Sequence, residues 1–410
     1  MNLTKSIEKA NERAVEFFRH LHAHPELSEK EENTADFICS ILNELQIPCR
    51  RSRTDCSVTG FIAGADSGKT DKTADGGAAS DICIGIRADI DALPVCENTG
   101  LSYQSQNPGV MHACGHDMHT AILLGAAIVL KELADAGKLA GSVKLLFQPA
   151  EESIGGADAM IKAGAMENPK VNKTIGLHVN PSEETGTATF CSGPMNAAVD
   201  DFSCRIQGRQ AHGAKPEEGV DSIVAAADII MRLQTVVSRM TAPTNPVVIT
   251  IGQIHAGTAP NIIPDSVTLG GTLRALNNET LDFLRCKTEE TAKSTAAFYG
   301  AEAEFLWMNT PFPPLINDAE VTEILEKAAE SCPHIHTVKH LARPDMGADD
   351  YAFFTQAAPG SYFTLGCTKK GETGYPLHNE KFAADPAAIL AGIEIEVCGV
   401  LKLLEESSAK

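Results

Sequence analysis

The chain has 410 residues, 43% hydrophobic and 21% charged, with 33 Gly and 21 Pro, a composition that excludes a fibre, a disordered tail and a disulfide-stapled miniprotein. At roughly 100–200 residues per domain, this length predicts two or three domains, each able to bury its own core. Its 34 Lys and Arg against 54 Asp and Glu give a net charge of −20, which argues against a nucleic-acid or anionic-membrane partner and fits solubility or carboxylate-rich cation sites.

Apolar residues at helical spacing from Leu3 to His22 (Ile7, Ala10, Ala14, Phe17, Phe18, Leu21), and again from Thr34 to Leu45, predict two opening helices. SVTGFIAG (57–64) and DICIGIRADI (81–90) read as strands, separated by a Gly/Ala/Asp/Lys/Thr tract at 66–81 that cannot form a core and reads as a mobile hairpin loop. A helix over 117–136 precedes strand SVKLLFQPA (142–150), a helix over 156–164, and strands NKTIGLHV (172–179) and TGTATFCSG (185–193). This alternation predicts an α/β domain with a mostly parallel central sheet flanked by helices.

After about residue 195 the rhythm changes to strand (201–208), helix (220–240), strands (246–254 and 266–276), helix (279–300) and strand (301–308), the β-α-β-β-α-β order of a ferredoxin-like α+β arrangement. The Pro-rich TPFPPL (310–315) marks the return, and helices at 318–331, 348–357 and 386–405 with strand SYFTLG (361–366) complete the first domain. The expected organisation is a discontinuous α/β domain over 1–195 and 310–410 with an inserted domain over 196–309.

Twelve cysteines are scattered without a CxxC pair or regular spacing, so they read as separate thiols of a reducing compartment. The opening MNLTKSIEKANERAVEFF lacks the apolar core of a secretory signal, and nowhere do 18 uncharged apolar residues run together. A cytoplasmic protein without a membrane segment is expected.

The densest chemical cluster is VMHACGHDMHTA (110–121). His112 and His116 have the spacing of a helical ligand pair, but Gly109 and Gly115 argue for an extended loop in which Cys114 and His116 point the same way. Thiolate and imidazole so placed suit zinc, with manganese an alternative, although a buried thiol beside a helix start with Asp117 as first-turn acid would read the same. In QPAEES (148–153) a buried strand ends in Glu151 and Glu152. On an extended chain these project to opposite sides, one towards a metal and one towards the substrate; a helix start is the competing reading. His178, ending the strand TIGLHV, and His378, in the loop GYPLHNEKF, join the count. Cys114, His116, Glu152, His178 and His378 would serve two metal ions if one ligand bridged.

Asp89 and Asp91 of RADIDALP share one side of a strand end and could orient ligand imidazoles from behind. His20, His22 and His24 read as a solvated helix end, and CPHIHTVKH (332–340) has no carboxylate at a sensible spacing for a site. In the inserted domain, His212 and Asn261 sit in Gly/Pro-framed loops, and Arg274 of GTLRAL offers a fork for a substrate carboxylate, with turn chemistry and a surface ion pair as the bland alternatives.

These segments make the chain resemble the di-metal amidohydrolase family of aminoacylases, hippurate hydrolases and plant indole-acetyl-amino-acid hydrolases, relatives of carboxypeptidase G. The likeness runs from HAHPELS (22–28) to HNEKF (378–382), carried in order by RADIDALP, MHACGHDMHTA, FQPAEES, GLHV, QAHGAKPEEGVD, NIIPD, GTLRAL, MGADDYAFF and PLHN. The resemblance implies that Cys114, His116, Glu152, His178 and His378 hold two divalent ions, manganese or zinc, with Cys114 bridging, and that Glu151 is the general base. It further implies that His212 stabilises the oxyanion, that Asn261 and Arg274 hold the substrate, and that the inserted domain is a lid through which two copies can pair as a homodimer. The implied reaction is hydrolysis of N-acyl amino acids or short peptides, with a dipeptidase or carboxypeptidase as the alternative within the family. Closure of the lid would need a hinge near 195 and 310. The lid loop reads KPEEGVDS where relatives carry His after the Pro and Pro after the Asp, and GADDYAFF stands where Glu-Asp is usual; these departures bear on acyl and amino-acid preference. Two other classes compete: an amidase using Cys114 as nucleophile with His116, and a non-catalytic metal-binding or sensor protein.

Overall fold

A computed structural model describes residues 2–64, 82–153 and 155–408; the tract at 66–81 lies outside the described residues. The chain forms two compact units, one of Met1–Gly193, Ile316–Ala342 and Asp350–Lys410, the other of Pro194–Leu315 with Arg343–Asp349.

The first unit is built on an eight-stranded sheet in the order Cys49–Arg51, Val58–Ile62, Ser142–Gln148, Cys83–Asp89, Lys173–Glu184, Gly360–Thr368, Thr187–Phe190, Thr337–His340. The strands from Ser142–Gln148 to Gly360–Thr368 run parallel, and antiparallel neighbours appear towards the edges. Cys83–Asp89 and Ser142–Gln148 are buried at every position, as their continuous apolar runs require of strands covered on both faces. The α/β expectation therefore holds. Cys49–Arg51 and Thr337–His340, short strands on the two edges, were not apparent from sequence because such brief segments carry no alternation of their own.

Helix Leu3–Ala23 starts where Asn2 accepts a hydrogen bond from the Lys5 amide, and it buries the stripe from Ile7 to Leu21. That stripe packs on helix His116–Asp135, which also meets helix Ala388–Ser408. Helix His116–Asp135 is buried on nearly all sides. Gly125 lets the last of these helices approach, since a Cβ there would collide with Ile393. Parallel pairing sets Asp89 beside Gln148 and Arg87 beside Gly176, two residues before His178, so the polar ends of three strands lie at one edge of the core.

The second unit has an antiparallel sheet in the order Val247–Ala256, Ser266–Ala275, Ala198–Gln207, Glu302–Phe312. Helices Ser222–Thr235 and Asn278–Phe298, capped by Asp221 and Asn277, cover it around Phe202, Ile206, Leu233, Leu273 and Leu284. The first of these helices widens to π spacing over Val236–Met240 instead of running on as one α-helix. Arg343–Asp349 belongs to this unit through main-chain bonds from Asp345 to Met195 and from Ala197 to Gly347, both 2.8 Å.

Candidate metal centre

The loop before helix His116–Asp135 turns at Gly115, whose φ of 86° is left-handed and whose missing Cβ would strike Val179. Cys114 and His116 therefore flank a tight turn, with His116 opening the helix, instead of lying on the extended loop that Gly109 and Gly115 suggested. Cys114 Sγ lies 3.4 Å from His178 Nε2. His378, half exposed and itself at φ 63°, is fixed to the same loop by its amide, which donates to Ala113 O at 2.8 Å. Its Nε2 stands 3.0 Å from Glu152 Oε1, which in turn is 4.0 Å from His116 Nε2.

Glu151 and Glu152 sit neither on an extended chain nor in a helical turn. The strand ends at Gln148, Ala150 takes a left-handed φ of 57°, and a turn carries both acids. Consequently they do not project to opposite sides: an oxygen of each lies within 4.8 Å of a His116 ring nitrogen. Glu31 secures this turn. It is fully buried, and its Oε1 accepts the Ala150 amide at 2.8 Å. Sequence reading missed Glu31, whose only signal was its place in an acidic helix start.

Three overlapping sets of donor atoms, each within 4.8 Å, share these residues: Cys114 with His116 and His178, Cys114 with Glu152 and His378, and His116 with Glu151 and Glu152. All five residues expected as ligands are thus brought together, and Cys114 belongs to two of the sets. His116 Nε2 is buried without a hydrogen bond, and Glu152 Oε1 is buried beside His378 Nε2. Buried polar atoms normally find partners, so a thiol, imidazoles and a carboxylate converging around such atoms fit a pair of divalent cations.

The surroundings hold these groups in place. Asp91 Oδ1 is 3.0 Å from His116 Nδ1, and its Oδ2 accepts from the Glu152 amide and Ser28. Asp89 departs from the expectation. Its short bonds go to His119 Nδ1 at 2.6 Å and Arg87 at 2.7 Å, and it approaches His116 Nε2 only to 3.6 Å. His119 Nε2 then accepts the Val179 amide at 3.0 Å, anchoring the residue after His178. Behind them Arg87, wholly buried, binds Gln148, Asp89 and Asp350. A lone guanidinium in the apolar run CIGIRAD was the signal for this network. Because Asp350 is committed to it, the helix expected over 348–357 begins only at Ala352.

Burial alone would raise Asp89, but His116, Arg87 and His119 hold it well below the usual carboxylate range. Burial likewise opposes a charged His116, yet Asp89, Cys114 and Asp91 raise it well above the ordinary imidazole value. Burial pushes the Cys114 thiol up, and Glu152 and Glu151 add to this against His116. Cation binding at such a cluster displaces protons.

His22 overturns the solvated-end reading. It is buried, bonded to Asp117 at 2.6 Å and Glu97 at 3.2 Å, and these acids outweigh burial to raise it to about 9. His112 is also buried, and burial lowers it to about 4. In the 332–340 run, tertiary packing supplies the carboxylates that sequence spacing lacked: His334 meets Glu394 at 2.8 Å and His340 meets Glu326 at 3.1 Å.

In the second unit, Ala211–His212 pairs with Ile262–Ile263, and the Gly213 amide donates to Asn261 O at 2.8 Å. His212 and Asn261 therefore share one ribbon, and both are exposed. His212 Nδ1 accepts the Ala214 amide at 3.0 Å, which leaves the proton of the neutral ring on Nε2 as an outward donor. Arg274 Nη1 donates to Met346 O at 2.8 Å.

The model of Peptidase family M20/M25/M40 matches residues 85–401. The chain is 37% identical over 372 residues to an N-acetyl-L-cysteine deacetylase of Bacillus subtilis, covering 91% of this chain and 83% of that one. It is 35% identical over 395 residues to thermostable carboxypeptidase 1 of Saccharolobus solfataricus, covering 95% of each. Among solved structures, a B. subtilis protein described as a dinuclear metal binding peptidase from the M20 family superposes with a TM-score of 0.79 at 32% identity, covering 97% of this chain and 99% of that one. A match over most of the chain, the shared α/β fold and the Cys-His-Glu cluster lead to one assignment: the protein belongs to Peptidase family M20/M25/M40.

Proposed function

We propose that the protein is a metal-dependent amidohydrolase that cleaves the amide bond of N-acyl amino acids, releasing a carboxylic acid and a free amino acid. The observation that carries this reading is the sharing of Cys114 between two donor sets, one with His116 and His178 and one with Glu152 and His378. In it these five residues would hold two divalent cations. When bound, such ions lower the pKa of water and polarise a carbonyl.

The chain's own groups then have distinct tasks. Asp91 holds Nδ1 of His116, leaving Nε2 turned towards Glu152. Glu151 is the proposed base: its carboxylate takes the proton of the attacking water and passes it to the leaving amine. Glu31 and Asp91 fix the turn on which Glu151 stands by holding the Ala150 and Glu152 amides. His212, whose Nε2 carries the proton, is the proposed donor to the oxyanion, and Asn261 and Arg274 the proposed substrate contacts, on the strength of the family resemblance. A thiol that burial and two neighbouring acids raise is a poor nucleophile, which disfavours the cysteine-amidase reading. A storage or sensor protein would have no use for Glu151 beside the ligands.

The relative named a carboxypeptidase favours one second reading, removal of a C-terminal residue from short peptides. The test is a panel varying acyl group and amino acid separately, with dipeptides included, before and after chelation and after reloading with manganese or zinc. Turnover of N-acyl amino acids that vanishes on chelation and returns on reloading is expected. Activity that survives exhaustive chelation, or tight metal binding with no hydrolysis of any member, contradicts the proposal.

We also place two copies together through the lid. On helix Ser222–Thr235, Ile223, Val224 and Met231 are exposed apolar residues, and the helix packs beside edge strand Val247–Ala256, where Ile254 is exposed too. Met231→Lys with Val224→Asp should halve the mass seen by light scattering. No helix of the described residues is long and apolar enough to cross a membrane. A cytoplasmic location is proposed because a site built on the Cys114 thiolate needs a reducing compartment.

A further inference from the structure

Away from the metal centre, the first unit contains a cavity of about 360 Å³ beside the edge strand Cys49–Arg51. That strand opens CRRSR (49–53), three arginines in five residues of a chain whose net charge is −20. Arg51 is occupied by Glu32 and Asp36. Arg50, which lines the cavity, meets no carboxylate at ion-pair distance among the described residues.

Strand register fixes what shares the cavity wall. Arg50 is paired with Thr59, and Phe61, two residues on, is paired with Lys144. Directly opposed residues in antiparallel strands project to the same face, as do residues two apart. The guanidinium, the Thr59 hydroxyl and the Lys144 ammonium therefore stand on one side of the sheet. Ser57 adds a second hydroxyl, and Met160 with the stretch from Ala163 to Ala165 forms the facing wall.

Lys144 is the decisive residue. It is 5% exposed, and its Nζ donates to the main-chain oxygens of Glu167 at 2.6 Å and Pro169 at 2.9 Å. Those carbonyls use two of its three donors. No carboxylate lies within ion-pair distance among the described residues, and the single acid lining the cavity, Glu167, is exposed and engages Lys144 through its backbone. A cation this deeply buried normally has a counter-charge. Burial also lowers the pKa of Lys144, with Cys83 and Glu167 acting against it at longer range.

We propose that this cavity is a binding site for a small carboxylate or phosphate anion, held by Lys144 and Arg50 and received by the hydroxyls of Ser57 and Thr59. The volume suits a small metabolite, and charge-assisted bonds from ammonium and guanidinium are the strong kind. The site lies between two segments that flank the Glu151–Glu152 turn: strand Ser142–Gln148 carries Lys144 into it, and helix Gly156–Lys162 carries Met160 away from it.

Thermal unfolding of the metal-loaded protein in sodium phosphate, sodium benzoate or sodium chloride at equal ionic strength tests the proposal. Phosphate or benzoate should raise the midpoint by on the order of 2 °C above chloride. Arg50→Ala and Thr59→Val should each reduce that gain while leaving the midpoint in chloride within about 1 °C of the parent, because both positions lie partly in solvent. A gain from phosphate alone assigns a phosphorylated ligand, and one that includes benzoate assigns a carboxylate. No gain above chloride overturns the proposal. So does an equal gain in the parent and Arg50→Ala, which would place the anion elsewhere, at the metal centre included.

Discussion

The two units present their polar residues in opposite ways. In the first, Cys114, His116 and Asp91 are buried, and Glu152 is largely so. Asp91 holds both the His116 ring and the Glu152 amide, while Glu31 holds the turn before Glu152 and Arg87 the strand end at Asp89. In the second, His212 and Asn261 are exposed on a two-residue ribbon, and Arg274 is held by a main-chain carbonyl. A cation site has to be built before its ligand arrives, because converging donors repel or protonate without one. A residue that meets a transient substrate can wait in solvent.

The contrast makes substitutions in the two units fail differently. Cys114→Ala should have the largest effect, lowering turnover more than about a thousandfold and reducing bound metal below two per chain by elemental analysis. His212→Ala should cost about 10²–10³ in kcat, the worth of one oxyanion donor, with metal content unchanged. Loss of metal in that variant would erase the distinction between the units. Asp91→Asn, which weakens the hold on His116 from behind, should cost about 10–100-fold in metal affinity, read by competition with a chelator.

A further effect concerns stability and its dependence on pH. Burial raises the Glu31 carboxyl from 4.5 to about 7. Between those values the folded protein holds a proton that the unfolded chain releases, so this group's contribution to stability falls as pH rises from 4.5 to 7, by on the order of 3 kcal/mol. Glu31→Gln keeps an acceptor for the Ala150 amide and removes the titration. Its unfolding midpoint should vary less over that pH range than the parent's.

Much of the fold is legible in the sequence because burial leaves a period. The stripe Ile7–Ala10–Ala14–Phe17 gives a helix, the unbroken run around Ile84 a doubly covered strand, and the order after residue 195 a four-stranded sheet with two helices. The site is legible where motifs are compact: Cys114, His116, Glu151 and Glu152 lie in two short segments. What joins those segments is not. The bonds from His378 to Ala113, from Glu31 to Ala150 and from Arg87 to Asp350 span 119–265 residues. Only packing decides them. His22 shows the same limit from the other side, since its exposed-looking helix end is covered by Asp117 and Glu97. The turn at Ala150 also escaped, because nothing in QPAEES announces a left-handed alanine.

The central claim, that Glu151 acts as base while its neighbour Glu152 binds metal, is tested most directly by Glu151→Gln, with metal stoichiometry and turnover of an N-acyl amino acid measured on the same preparation. Two metals retained with turnover reduced about 10²–10⁴-fold is the result this account predicts. Full activity would contradict it, and metals lost together with activity would make Glu151 a ligand and reverse the roles of the two neighbours.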